Sequence, residues 1–123
     1  MAEVVYRSTV TAVGELVPDF REQGVLVFFG ENAPSELHEF SILHKVDIQV
    51  RAPQPGDVID INSNTYQVLA VGSVASDNLL NLGHLDLKAN GLTEAELPGD
   101  VNIDEVELPI INVGDIFQVI SSD

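Results

Sequence analysis

Three histidines, His38, His44 and His84, together with the absence of cysteine, confine nucleophilic and metal-ligating chemistry in this chain to imidazole and oxygen groups. An imidazole nitrogen remains a usable nucleophile near neutral pH, where a lysine amine is mostly protonated. His44 lies in SILHKVDIQV, where Ile42, His44, Val46, Ile48 and Val50 recur at period two, and Lys45, one of few cations, is its neighbour. This placement suits a nucleophile, although a lone histidine on an apolar strand face is more often a hydrogen-bonded, half-buried structural side chain. His84 ends the stretch AVGSVASDNLLNLGH, from Ala70 to His84, which reads as a strand, a Gly-Ser turn, a short helix and a glycine stop at Gly83. Ser73 or Ser76 stands where a helix cap belongs. With the backbone N–H groups near Gly72 and the positive end of the helix dipole, that start suits a phosphate or carboxylate. Asp77 in the first turn satisfies the same dipole without any ligand, and His84 could bond backbone beyond the stop. His38, flanked by Glu36 and Glu39, reads as part of a solvated face.

Other catalytic patterns are missing. There is no HExxH, EF-hand or paired-histidine spacing for a metal, no P-loop and no G-x-S-x-G nucleophile turn.

The elements that must position these residues are mostly short strands. Glu3–Val13 reads as the first strand, Gly14–Gly24 as a polar excursion around Pro18, and Val25–Phe29 as a buried strand. Pro34 and Ser35 open a short helical piece, ELHEF, with Ser35 as N-cap, before the strand of His44. Gly56-Asp57, Gly99-Asp100 and Gly114-Asp115 each precede an apolar run and read as strand starts, and Asn62–Asn64 reads as a hairpin turn. These pairs are recurring turn chemistry, and no whole-domain repeat is expected. The pattern predicts a mainly β fold, a small single-domain β-barrel with short helices over residues 1–123.

Composition sets the outer bounds. The 123 residues with 45% apolar content suffice for one core without disulfide or metal staples. Five Lys/Arg against twenty Asp/Glu give a net charge of −15, with the cations scattered, so no nucleic-acid or anionic-membrane face is expected. No apolar run approaches the ~20 residues needed to cross a bilayer, and the amino terminus carries no export pattern. A cytoplasmic protein without direct membrane insertion is expected.

Three segments, APSELHEFSILHKV (Ala33–Val46), AVGSVASDNLLNLGHLDL (Ala70–Leu87) and GLTEAELPG (Gly91–Gly99), resemble the glucitol/sorbitol-specific enzyme IIA family of the bacterial phosphoenolpyruvate-dependent sugar phosphotransferase system. The resemblance implies a soluble protein that accepts a phosphoryl group from the phosphocarrier HPr on one histidine. It then passes the group to the IIB component for a polyol carried by IIC. His44 matches the position of the phosphorylated histidine, with Nε2 as the acceptor. Some family members carry a second histidine two residues later, where this chain has Val46. Support for the phosphoryl group is therefore expected from His84 and from backbone donors around Gly72, Ser73 and Ser76. Lys45 is expected to point away from His44 by strand alternation. No cofactor is implied, because the donor is itself a phosphoprotein. The competing readings are a non-catalytic β module that binds a small ligand or regulates a partner, and a metal-dependent enzyme using the three histidines.

Overall fold

The computed structural model describes residues 2–122. In chain order it contains β1 (Val4–Val13), α1 (Val17–Glu22), β2 (Val25–Gly30), a 3₁₀ segment (Ser35–Phe40), β3 (Ile42–Gln49), β4 (Val58–Ile61), β5 (Asn64–Val71), α2 (Ala75–Leu82), β6 (Leu85–Lys88), β7 (Asp100–Ile103) and β8 (Ile116–Ile120). The strands close into one barrel in the order β1-β3-β2-β6-β7-β5-β4-β8. Neighbours run antiparallel except for β2–β3 and β6–β7, which are parallel. Closure removes the free strand edges. Inward-facing Leu26, Phe28, Ile42, Ile59, Leu87, Val101 and Phe117 are at most 1% exposed. Each such side chain contributes roughly 1.5–3 kcal/mol on burial, so the barrel interior rather than the two short helices holds the fold.

The mainly β barrel with short helices agrees with the sequence expectation, and two local readings are corrected. The excursion around Pro18 contains helix α1, with the proline in its first turn, where its missing N–H costs nothing. Ser35 does not cap the piece that follows: Pro34 holds the cap position in an extended conformation and no side-chain cap bond forms. At the β4–β5 hairpin, Asn62 and Ser63 both take positive φ, as a two-residue turn matched to strand twist requires.

The expectation of no internal repeat is overturned. β1-α1-β2-β3-β4 and β5-α2-β6-β7-β8 are two copies of one unit, interlocked about a pseudo-two-fold axis. Val13, Ala12 and Val10 pair with Ile42, Leu43 and His44, while Val71, Ala70 and Val68 pair with Val101, Asn102 and Ile103, with a bulge at the same place in each ladder. The central pairs are their own mirror images: Leu26↔Leu87 with Phe28↔Leu85, and Ile59↔Val119 with Ile61↔Phe117. Each half also clasps the other, since Gly56 N–H donates to Val68 O and Gly114 N–H to Val10 O. The sequence signal is sparse but present: Val10, Ala12, Val13 and Gly14 recur as Val68, Ala70, Val71 and Gly72, and Gly56-Asp57 recurs as Gly114-Asp115 at the same spacing. Gly99-Asp100 makes the same turn bond, from Leu97 N–H to the Asp100 carboxylate, but is the odd pair out because Asp100 lies within β7 and pairs with Lys88.

Candidate functional site

Equivalent positions of the two halves are mostly apolar in both, and the site lies where that equivalence fails. Ile103 of β7 is a buried core residue, whereas its counterpart on β3 is His44; Tyr66 of β5 has Ser8 as its counterpart on β1. His44 is 1% exposed and Ser8 is fully buried. Phe28, Tyr6 and Phe117 surround the imidazole, with ring centroids 5.4, 6.4 and 6.4 Å away. Burial pushes the Tyr6 phenol up to about 12, so that this wall stays uncharged.

Both imidazole nitrogens are engaged. Nε2 lies 2.7 Å from the Gly83 carbonyl oxygen and Nδ1 lies 2.6 Å from Ser8 Oγ. A carbonyl only accepts, so Nε2–H is the donor. Burial lowers the pKa of His44 and the Gly83 carbonyl raises it less, so the neutral ring is favoured. A neutral ring with hydrogen on Nε2 leaves Nδ1 as a lone pair, which accepts from the Ser8 hydroxyl.

Two glycines let the carbonyl reach the ring. Gly83 stops α2 in the left-handed conformation, φ +65°, and its N–H bonds back to Leu79 O. A Cβ on Gly83 would stand 2.7 Å from Gly30 N and 3.3 Å from His44 Nε2. Gly30 is the β2 residue paired with His44, and a Cβ there would stand 2.9 Å from Leu82 O. The last turn of α2 therefore lies directly on the strand beside the imidazole. Above it opens a pocket of about 600 Å³, lined by His44, Gly83, Leu80, Val46, Glu31 and Lys45 among others. Lys45 thus reaches the pocket wall although alternation in β3 pointed it away.

The residues expected to cradle a phosphoryl group are placed differently. Gly72 and Ser73 line a separate concavity with Thr93–Pro98. Ser76 sits in the first turn of α2, with Val74 in the cap position and no side-chain cap bond. The helix spans eight residues, roughly 12 Å, and it is the opposite, carbonyl-bearing end that meets His44. Gly72 has a packing reason instead: a Cβ on it would stand 2.2 Å from Pro98 O, just as one on Gly14 would stand 2.2 Å from His38 O. His84 follows Gly83, but its ring stacks on Phe29 at 4.2 Å and its Nε2 meets Asp86 Oδ1 at 3.1 Å. It braces the turn that carries the Gly83 carbonyl. His38 bonds through Nε2 to Ala33 O within the crossover before β3. Among the described residues no group of three or more histidine, aspartate or glutamate side chains is arranged to hold a metal.

The sequence model of the family described as "PTS system glucitol/sorbitol-specific IIA component" matches residues 5–118. The chain belongs to this family. It is therefore a component of the phosphotransferase system. The glucitol/sorbitol-specific EIIA components of Shigella flexneri and of Escherichia coli (strain K12) are each 40% identical to it over 100 residues, which is 81% of this chain and 81% of either relative. The crystal structure of a PTS system IIA component from Enterococcus faecalis V583 superposes with a TM-score of 0.77 over 90% of this chain and 96% of that one. At 24% identity that likeness supports the IIA-component barrel as the shared fold. Ser8 escaped the sequence reading, because a serine in a Val- and Thr-rich strand shows nothing until the β1–β3 register brings it to an imidazole.

Proposed function

We propose that His44 is the phosphoryl acceptor of a cytoplasmic IIA component. It takes the group from phospho-HPr on Nε2 and passes it to the IIB component that serves a IIC carrier of glucitol, sorbitol or a related polyol. The reading rests on one observation: within the family's matched region, a buried neutral imidazole turns its Nε2 edge to the residues that line an open pocket. Transfer breaks the P–N bond of the donor imidazole and forms a P–N bond at His44, the electron pair returning to the donor nitrogen. Such a reaction asks of the protein chiefly an in-line nucleophile and local charge compensation. Lys45 on the pocket wall supplies the positive charge, which matters in a chain of net charge −15. His84 supports the site through the Gly83 turn, and Gly72, Ser73 and Ser76 have no part in holding the phosphoryl group. Incubation with phosphoenolpyruvate, enzyme I and HPr, followed by mass spectrometry under conditions that preserve phosphohistidine, tests this. One phosphoryl group on His44, absent from His44→Gln, is expected; an unlabelled His44 in an otherwise competent system overturns the reading.

A further inference from the structure

The resting structure occupies both nitrogens of the imidazole, which poses a question for any reaction at Nε2. Its in-plane direction is filled by the Gly83 carbonyl oxygen at 2.7 Å, where an incoming phosphorus would have to stand. That carbonyl belongs to the negative end of α2, which favours a proton on Nε2 and opposes a phosphoryl dianion. The lone pair of the neutral ring is on the other side, against Ser8.

The symmetry-related position in the barrel lacks this arrangement. Gly24 follows the C-cap of α1, Gln23, and like Gly83 takes positive φ. Its carbonyl accepts the Ala89 N–H at 2.9 Å, and Ala89 is the counterpart of Gly30. There Ile103 stands where His44 does, and the carbonyl lies on backbone. The contact of Gly83 with His44 is thus a local departure from the barrel's symmetry, made together with Ser8, whose counterpart is the larger Tyr66.

We infer that Ser8 is the positioning residue for His44: its hydroxyl donates to Nδ1 in the resting protein and accepts from Nδ1–H when Nε2 is the nucleophile, once the Gly83 carbonyl has withdrawn. This rests on His44 being the acceptor. A hydroxyl carries one hydrogen and two lone pairs, so rotation about the Cβ–Oγ bond serves both tautomers without moving the strand. The exchange is balanced: one proton leaves Nε2 for solvent and one is taken up at Nδ1. The P–N bond then forms at Nε2 as the donor's breaks. Alanine at position 8 can do neither task, and leaves a buried ring nitrogen without a partner.

Nitrogen-15 NMR of the imidazole in the unphosphorylated wild-type protein reads the resting state without any transfer assay. The expected pattern is hydrogen on Nε2 and a hydrogen-bonded, unprotonated Nδ1; hydrogen on Nδ1, or averaging between the two, overturns the inference. In transfer from phospho-HPr, Ser8→Ala is expected to lower kcat roughly 10- to 100-fold with KM unchanged, because the docking surface is untouched. Ser8→Thr, which keeps the hydroxyl, is expected to restore most of the rate. A folded Ser8→Ala protein with the wild-type kcat, or a phosphoryl group found on Nδ1, also overturns it. If His44→Gln is still phosphorylated, the acceptor assignment fails, while the nitrogen-15 pattern still reports separately on whether Ser8 fixes the tautomer.

Discussion

His44 is poised by its surroundings rather than by its own chemistry. Burial is the main influence on its pKa and lowers it from 6.5, with the Gly83 carbonyl opposing. As pH falls below 6.5, the unfolded chain therefore binds a proton at this position before the folded one does. The stability that His44 contributes is complete above about pH 6.5 and declines as pH drops toward the folded-state value. An NMR titration of the ring should accordingly show its midpoint below that of a free imidazole; a midpoint at or above 6.5 would contradict the burial argument. Period two in SILHKVDIQV marks a strand histidine on an apolar face, but the same pattern suits a structural histidine. The family resemblance is what distinguishes His44 from such a residue. Its hydroxyl partner lies 36 positions away on β1 and becomes visible only through strand register.

At the scale of elements, α2 and its glycine stop were readable from Ala70–His84, yet the end of the helix that matters was not. N–H groups at a helix start are the usual anion site, so the sequence pointed to Ser73 and Ser76. Packing brings the other end to His44 because Gly30 and Gly83 leave no side chain between β2 and the last turn. Gly83→Ala tests that account. The left-handed conformation costs a non-glycine residue roughly 1–2 kcal/mol, and the added Cβ would also crowd Gly30 N at 2.7 Å. The variant should lose at least about 1 kcal/mol in urea denaturation and release the Nε2 hydrogen bond, seen as a changed imidazole nitrogen-15 shift. A variant of unchanged stability whose His44 signal is also unchanged would mean that the turn does not cap the ring.

The whole molecule is two interlocked copies, and corresponding positions can be compared within one chain. The repeat escaped the periodicity reading because strand alternation is common to every β segment, whereas Val-x-Ala-Val-Gly and Gly-Asp are too short to stand out until register aligns them. Asp57 and Asp115 make the comparison sharpest. Each carboxylate accepts the backbone N–H three residues earlier, from Gln54 at 2.9 Å and from Asn112 at 2.7 Å. Asp57 alone is buried, and it also holds the Arg51 guanidinium at 2.7 and 3.1 Å and faces Ser122 N–H at 3.4 Å, close to the chain's end. Burial pushes the Asp57 carboxyl up, but the Arg51 side chain and the backbone donors outweigh it, and its pKa falls below 3.8. Its contribution to stability is therefore present above about pH 3.8 and is lost as pH falls through the lower folded-state value. Arg51 is partly exposed, so solvent screens the pair and discounts its Coulombic share. On hydrogen bonding alone, Asp57→Ala should cost about 2–3 kcal/mol and Asp115→Ala about 1 kcal/mol. Urea denaturation of both variants at neutral pH measures the gap, which should close when the comparison is repeated below the Asp57 folded-state pKa. Equal losses at neutral pH would mean that the Gly-Asp turn itself, common to both halves, carries the energy, and that the Arg51 contact adds nothing to the closure of the barrel.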